Sequence, residues 1–172
     1  MREEINFANI KHTCAFTGNR PQNLPWGENE QDERCINLKE QLTKEIQAAI
    51  TSGYTHFLTG MAQGFDTYAA EAVIEIMKTN KVITLEAIIP HANQEKSWSD
   101  QAKARYAEIL NNCTKTQTLR PHYTKACMHT RNRYLVDNSS LLIALSTQEK
   151  GGTAETIKYA HLKSRLLIIL QW

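Results

Sequence analysis

The stretch that decides the fold is THFLTGMAQGFDT, at residues 55–67. It predicts a short buried strand, a tight turn at Gly60 and Gly64, and the start of a helix whose apolar stripe continues through Val73, Ile74, Ile76 and Met77. Glycine lets the backbone bend sharply and lets a ligand approach the main chain. Free N–H groups at a helix start after a strand are a usual place for a phosphate. The stretch therefore predicts a ligand-binding α/β domain.

The rest of the chain repeats this alternation of strand and helix. Further strands are predicted at residues 13–17, 82–89, 114–119, 141–145 and 166–170, with the 114–119 strand near an edge. Helices are predicted at residues 29–51, up to about 79, 99–111, 125–138 and from 151. Strict alternation predicts a mostly parallel sheet with helices on both faces. We expect one Rossmann-like three-layer α/β domain over residues 1–172, with residues 1–11 as a poorly specified lead-in.

Composition limits the classes of function. The chain has 172 residues and a net charge of +2, which is too small to indicate a dedicated nucleic-acid or membrane binder. No apolar run is long enough to span a membrane, and residues 1–13 show no signal-peptide pattern. The cysteines and histidines show no metal-ligand spacing. We expect a cytoplasmic protein with reduced thiols and no metal. A homodimer is compatible with the sequence, and a nucleotide is the expected ligand although no cofactor is certain.

Candidate binding residues follow four of the predicted strands. The carboxyl ends of parallel strands meet at one edge of a sheet, so these residues should face one crevice. Glycine-rich amides and an arginine suit a phosphate, whereas a carboxylate suits a ribose hydroxyl, a base amine or its own helix as an N-cap. The candidate ligand-binding residues are Thr17, Gly18, Asn19, Arg20, Gly60, Met61, Ala62, Gly64, Asp66, Arg131, Gly151, Gly152 and Thr153. Asn93, Gln94 and Trp98 follow the third strand.

Each of these features also has a purely structural explanation. In that case the role of Gly60 and Gly64 is only to form the turn. Likewise, the loop before the last helix contains Gly151 and Gly152 without binding a ligand, and Thr153 is the N-cap of that helix. Arginines on loops and helices, here Arg20, Arg131 and Arg133, are more often solvated charges. Trp26 and Trp98 are expected to pack. The recurrence of glycine turns at several strand ends is what favours a binding site.

Several motifs together resemble the SLOG superfamily, the Rossmann-like group that joins the DprA/Smf proteins to the LOG phosphoribohydrolases. CAFTGNRP at residues 14–21, LPWG at 24–27 and NE at 29–30 are similar to the opening motif of its YpsA-like branch. TGMAQGFD at residues 59–66 resembles the glycine turn of DprA. MHTRN at 128–132, LIAL at 142–145 and GGTAE at 151–155 resemble the core of the LOG enzymes. The resemblance implies a Rossmann-like fold and a bacterial or phage origin.

The chain departs from these patterns at two places. The YpsA-like branch commonly has histidine where Asn19 stands. The LOG enzymes end their glycine motif in a catalytic glutamate that works with a helix arginine; Arg131 matches the arginine, but the glutamate position falls on Thr156. Glu155 is adjacent, yet one residue along a helix turns a side chain by about a quarter of a turn or more. The resemblance to LOG therefore leaves the hydrolase activity unsupported, and no catalytic residue is assigned.

Three functions are compatible with the sequence. The first is binding of a nucleotide or a nucleotide-derived small molecule, such as an NAD or ADP-ribose relative, by a sensor or regulator in cell division or stress physiology. The second is hydrolysis of a nucleoside monophosphate, as in LOG. The third is single-stranded DNA binding, as in DprA. The low net charge disfavours it, and we expect at most weak, salt-sensitive binding. We further expect Gly64→Val to abolish ligand binding while leaving the fold intact.

Overall fold

The computed structural model describes residues 10–172 and contains one six-stranded sheet in that range. The predicted lead-in lies for the most part outside the described residues. The strand order is β4-β3-β2-β1-β5-β6, and every neighbouring pair is parallel. The strands are β1 (Thr13–Gly18), β2 (His56–Thr59), β3 (Thr84–Ile89), β4 (Lys115–Thr118), β5 (Leu141–Leu145) and β6 (Leu166–Leu170).

Five α-helices of the described chain cover the two faces of this sheet. They are α1 (Glu33–Thr51), α2 (Phe65–Thr79), α3 (Asp100–Asn112), α4 (Cys127–Asp137) and α5 (Gly152–Leu162). A short 3-10 turn, Pro21–Asn23, follows β1. The large core cluster joins α1, α2 and α3 to one face, and a smaller cluster joins α4 and α5 to the other. The prediction of a three-layer Rossmann-like domain is therefore confirmed.

Side-chain alternation along the strands divides the core between these two layers. In β1, Cys14 and Phe16 pack towards α1–α3, while Ala15 packs towards α4 and α5. Successive side chains of a strand point to opposite faces, so a strand buried on both sides reads as a continuous apolar run. β4 lies at an edge, as predicted, and it is polar and largely exposed. None of the helices in residues 10–172 is long and apolar enough to cross a membrane.

The strand order reverses beside β1, and this reversal positions the site. The chain moves outward from β1 through β2, β3 and β4, and then returns to place β5 on the other side of β1. Ligands of open α/β sheets bind outside the carboxyl ends of the strands at such a switch point. The ends of β1, β2 and β5 and the loops and helix starts that follow them carry the predicted candidates, apart from Arg131 on α4.

Candidate functional site

The glycine turn between β2 and α2 is closed by its own contacts. The Phe65 amide donates to the Asn19 carbonyl at 3.2 Å, and the Met61 amide donates to Thr59 Oγ1 at 3.2 Å. The Ala62 amide donates to Asp66 Oδ2, also at 3.2 Å. Three amides that a bound phosphate would use are therefore occupied by the protein. The turn that defines the fold thus satisfies these three amides with protein acceptors.

Gly64 is required at its position by packing as well as by conformation. Its φ is +86°, and a Cβ placed there would lie 2.6 Å from the Asn19 carbonyl oxygen. A non-glycine residue at positive φ is strained, and a carbonyl in the backbone cannot move away as a flexible side chain can. The expectation that Gly64→Val leaves the fold intact is therefore wrong. Gly18 is similarly constrained, since its Cβ would contact the side chain of Phe65.

Two buried charges of opposite sign lie beneath this turn. Arg131, on α4, is 4% exposed, and Asp66, on α2, is 5% exposed. Arg131 Nη1 donates to the Gly60 carbonyl, and its Nε donates to Asn132 Oδ1 at 2.8 Å. Nη2 is thus the guanidinium nitrogen left for a ligand. The interpretation of Arg131 as a solvated surface charge is wrong, because Gly60, lacking a side chain, lets the guanidinium pack against the end of β2.

Asp66 carries a carboxylate oxygen that the protein leaves unsatisfied. Asp66 Oδ2 accepts the Ala62 amide, but its buried Oδ1 has no hydrogen-bond partner among the described residues. Burial raises the pKa of the Asp66 carboxyl above its usual value, while Arg131 and the Ala62 amide oppose that rise. Burial also lowers the pKa of the Arg131 guanidinium, which the nearby Asp66 charge opposes. An unpaired buried oxygen is costly, so it marks a position where a ligand donor would be favourable.

Asn19 connects the loops that follow β1 and β5 across the switch point. Its Nδ2 donates to Thr147 Oγ1, and its Oδ1 accepts the Thr147 amide, both at 3.1 Å. Asn19 is buried, whereas the neighbouring Arg20 is exposed and acts electrostatically on Asp66 and Arg131. The sequence indicated Asn19 as a ligand contact but carried no signal for its bond to Thr147, because the two residues are 128 positions apart.

The helix start at α5 is open, in contrast to that of α2. Gly151 and Gly152 are exposed, and Thr153 is half-buried. The contacts found here use carbonyls: Gly151 accepts the Glu155 amide at 3.0 Å, and Gly152 accepts Thr156 Oγ1 at 2.7 Å. The first N–H groups of a helix have no partner within the helix, so these amides are available to an anion. The N-cap is Gly151, not Thr153.

The position of the LOG glutamate carries no charge in this site. Thr156 is buried, and its hydroxyl is engaged by the Gly152 carbonyl. Glu155 is exposed and lies 3.7 Å from His129 Nδ1. The structure thus directs the neighbouring carboxylate outward. Among the described residues, no group of three His, Cys, Asp or Glu side chains could hold a metal, and the four cysteines are free.

The remaining candidates divide between the crevice and the core. Met61 is buried in the core cluster at a φ of +55°, and Thr17 and Ala62 are buried as well. Gln94, after β3, is buried and donates to the Met61 carbonyl at 3.3 Å, which supports the turn from outside. Arg133 is exposed above the Tyr159 ring, so the interpretation as a surface charge is confirmed for this arginine.

One polar cluster beside the site was not predicted from the sequence. Arg105 on α3 bonds to Glu71 on α2 and to Glu30 in the loop before α1, and Lys39 on α1 also pairs with Glu30. These side chains tie four separate segments together. The residues are far apart in the chain and belong to no motif, so no pattern in a single sequence indicates their contact.

Comparison with known proteins identifies the family. The sequence profile described as the YspA SLOG family matches residues 14–165, which is most of the chain. The chain belongs to this family. The resemblance to the YpsA-like branch is thereby confirmed. In this SLOG chain, the matched span contains all the candidate residues of the crevice.

Two bacterial relatives agree with this assignment. The UPF0398 protein BH1768 of Halalkalibacterium halodurans is 30% identical over 118 residues, which cover 67% of this chain and 62% of the relative. A UPF0398 protein of Bacillus pumilus is 30% identical over 142 residues, covering 81% of this chain and 75% of the relative. The SLOG chain therefore matches somewhat under two thirds of the first of these proteins.

Two solved structures share the fold. The DNA processing protein A (DprA) of Streptococcus pneumoniae aligns with a TM-score of 0.64 at 15% identity, covering 94% of this chain and 51% of that protein. The DNA processing protein A of Helicobacter pylori aligns with a TM-score of 0.62 at 15% identity, and the alignment covers 96% of this chain and 67% of that protein. The latter structure is described by its single-stranded DNA binding mode. At this identity the likeness concerns the fold alone.

Proposed function

We propose that this SLOG protein binds a nucleotide-derived small molecule at the carboxyl edge of its sheet. The observation that carries the proposal is the buried pair of Arg131 and Asp66, in which Asp66 Oδ1 has no partner in the described chain. A ribose hydroxyl can donate to that oxygen, and Arg131 Nη2 can donate to a phosphate or a ribose oxygen. Both groups are held rigidly by contacts to the glycine turn.

The phosphate of this ligand lies at the start of α5. The amides there are open, whereas the Met61, Ala62 and Phe65 amides at the other turn are engaged. The sequence alone placed the anion against both turns, and the geometry favours the one at Gly151–Thr153. The exposed Arg20, which acts electrostatically on Arg131, adds positive charge that attracts an approaching anion. An NAD or ADP-ribose relative offers both the phosphate and the ribose.

Binding without turnover is the role that the site supports, in keeping with a sensor or regulator. Cleavage of an N-glycosidic bond needs a carboxylate near the anomeric carbon to stabilise positive charge. Thr156 provides only a hydroxyl already bonded to Gly152, and Glu155 is directed outward. A LOG-like hydrolase is therefore less well supported than a binding protein.

Calorimetry with ADP-ribose and AMP tests the proposal. Arg131→Lys keeps the charge but loses the planar fork, and we expect the affinity to fall by about tenfold or more, since a hydrogen bond to a charged group contributes ~1.5–3 kcal/mol. Arg133→Lys is the matched control, because Arg133 is exposed on the same helix. Thermal unfolding establishes that each variant is folded. If Arg131→Lys does not fold, Asp66→Asn serves as the test variant in its place. Equal affinity in Arg131→Lys and Arg133→Lys, or no binding by the wild type, would contradict the proposal.

A second candidate is single-stranded DNA binding, favoured by one exposed surface. Tyr123 is 65% exposed after β4 and packs edge-on against His91, with ring centroids 5.4 Å apart. Arg120 and Lys125 are exposed in the same loop. Aromatic rings beside cations are what bases stack on in single-strand binders. The Helicobacter pylori likeness leaves our expectation against nucleic acid unsupported. Fluorescence anisotropy of labelled single-stranded DNA, titrated near physiological salt, tests this second candidate. Submicromolar affinity of the wild type that is weakened in Tyr123→Ala would favour DNA binding over small-molecule binding.

A further inference from the structure

A cavity lies beside the glycine turn, lined in part by Gln63 and Gly64. Its volume is about 440 Å³, within the range common for ligand pockets. Gly64 and Thr67 at the start of α2 form one wall, and the loop around Glu30 and the first turns of α3 form the others. Arg131 and the Gly151–Thr153 turn do not line it. The cavity therefore adjoins the glycine turn and does not include the anion end of the proposed site.

The charges around this cavity disfavour a phosphate. Arg105 is the one cation among the lining residues, and its guanidinium is already engaged. Towards Glu30, Nη1 donates to Oε1 at 2.5 Å and Nη2 donates to Oε2 at 3.0 Å. Towards Glu71, Nε donates to Oε1 at 2.7 Å and Nη2 donates to Oε2 at 2.8 Å. Glu28 adds a further carboxylate to the wall. An anion would meet uncompensated negative charge here, so the cavity suits an uncharged ligand that donates hydrogen bonds.

The other polar groups of the wall suit the edge of a heteroaromatic ring. Four side-chain amides line the cavity, those of Asn29, Gln31, Gln63 and Gln101. Each carboxamide offers both donors and an acceptor, which is what ring nitrogens and exocyclic groups require. The Glu28 carboxylate offers acceptors alone and therefore favours an amine.

One aromatic side chain can cover the ring. Trp98 is half-buried in the wall and meets Tyr106 edge-on, with centroids 5.3 Å apart. Tyr68 also lines the cavity, but Lys39 lies over its ring at 4.7 Å. Trp98 is thus the indole against which a flat ligand would pack.

We propose that this cavity binds an amino-substituted purine ring, such as an adenine. The inference rests on the proposed function, since the ring would be the base of the nucleotide-derived ligand whose phosphate lies at α5. Asp66 follows Gly64 of the cavity wall by two residues in the sequence, and its carboxylate acts electrostatically on Arg131. One ligand would therefore extend from the cavity past the start of α2 to the start of α5. The base end and the phosphate end then have opposite electrostatic character, which fixes the direction in which the ligand binds.

Adenosine and inosine provide the test, because they differ at the exocyclic amine and neither carries a phosphate. We expect adenosine to bind the wild type at least tenfold more tightly than inosine in a calorimetric titration. Ala102→Leu adds a side chain to the cavity wall and should weaken adenosine binding by tenfold or more. Ala107→Leu, on the exposed side of the same helix, is the matched control and should leave the affinity unchanged. Glu28→Gln, on an exposed loop, should reduce the preference for adenosine even if Ala102→Leu does not fold.

The outcomes separate this inference from the proposed function. Absence of adenosine binding, or equal affinity in the wild type and in a folded Ala102→Leu, would overturn the purine cavity. ADP-ribose binding that Arg131→Lys weakens and Ala102→Leu does not would overturn the cavity and leave the proposed function standing. Adenosine binding that depends on Ala102, with ADP-ribose affinity unchanged in Arg131→Lys, would retain the cavity and reject the anion end.

Discussion

Two helix starts of this molecule carry similar glycine signals and are built differently. The α2 start, at Gly60 to Asp66, is largely buried, and its Met61, Ala62 and Phe65 amides bond to protein acceptors. The α5 start, at Gly151 to Thr153, is open to solvent, and its contacts use carbonyls. A glycine turn after a strand therefore does not by itself identify a phosphate site. The local contacts decide whether its amides serve the fold or a ligand.

The largest expected difference between the two turns is in stability. Gly64→Val places a branched side chain at φ +86° against the Asn19 carbonyl, and we expect the free energy of unfolding to fall by ~3 kcal/mol or more. Gly151→Ala, also at positive φ, meets only the Gln148 side chain at 4.0 Å and should lose ~1–2 kcal/mol. Urea titrations of both variants measure this. Equal losses would show that the two turns are equally constrained.

Asp66→Asn tests the buried charge of the closed turn. The folded-state pKa of Asp66 is raised, so the folded protein holds the proton more tightly than the unfolded chain does. The contribution of Asp66 to stability therefore falls as pH rises above the ordinary aspartate pKa of 3.8. We expect the stability of Asp66→Asn relative to the wild type to rise with pH, because the wild type alone carries the growing cost of the buried charge, and we expect weaker ADP-ribose binding.

The matched control for this substitution is Asp100→Asn, at the exposed first turn of α3. Thermal unfolding from pH 4 to pH 8 compares both variants with the wild type. The difference between wild type and Asp66→Asn should grow with pH, whereas Asp100→Asn should show no such trend. A stabilising effect that is larger at acid pH than at neutral pH would contradict the assignment of a raised pKa.

A smaller effect is expected at the open turn. A Cβ at Gly152 would approach nothing closer than Asn132 Nδ2 at 3.7 Å, and this glycine is not at positive φ. Gly152→Ala should therefore change the free energy of unfolding by no more than ~0.5 kcal/mol, with alanine favoured within a helix. Urea titration, run in parallel with that of Gly64→Val, measures this change in the free energy of unfolding. A loss as large as that of Gly64→Val would mean that the open turn is in fact a packed one.

The smallest expected effect is on chemistry. We expect little or no release of free base from AMP, and no change on Glu155→Ala, because Thr156 occupies the glutamate position and Glu155 faces solvent. Chromatography of AMP and related monophosphates after long incubation provides the assay. Robust turnover that disappears in Glu155→Ala would establish that the neighbouring carboxylate has taken over catalysis.

Most of the fold could be predicted from the sequence, because apolar periodicity and glycine positions act locally. The strands at 141–145 and 166–170 were predicted with their observed bounds. Helix starts were less accurate: the first helix begins at Glu33 and not at 29, because Asp32 provides the N-cap.

The site was predictable only in part, because its contacts join distant segments. The motifs brought Asp66 and Arg131 to the same edge of the sheet, but they did not reveal that Arg131 is buried beneath Gly60. The bond between Asn19 and Thr147 and the cluster around Arg105 depend on tertiary packing. Residues that meet only through packing leave no periodic or motif signal in a single sequence.

An NMR titration of the labelled protein with AMP tests the central claim most directly. We expect the amide resonances of Gly152 and Thr153 to shift strongly on binding, because these amides would contact the phosphate at the open helix start. The Ala62 and Phe65 amides, which remain bonded to Asp66 and Asn19, should shift little. Large shifts at Ala62 and Phe65 with none at Gly152 and Thr153 would contradict the account and place the anion at the closed turn.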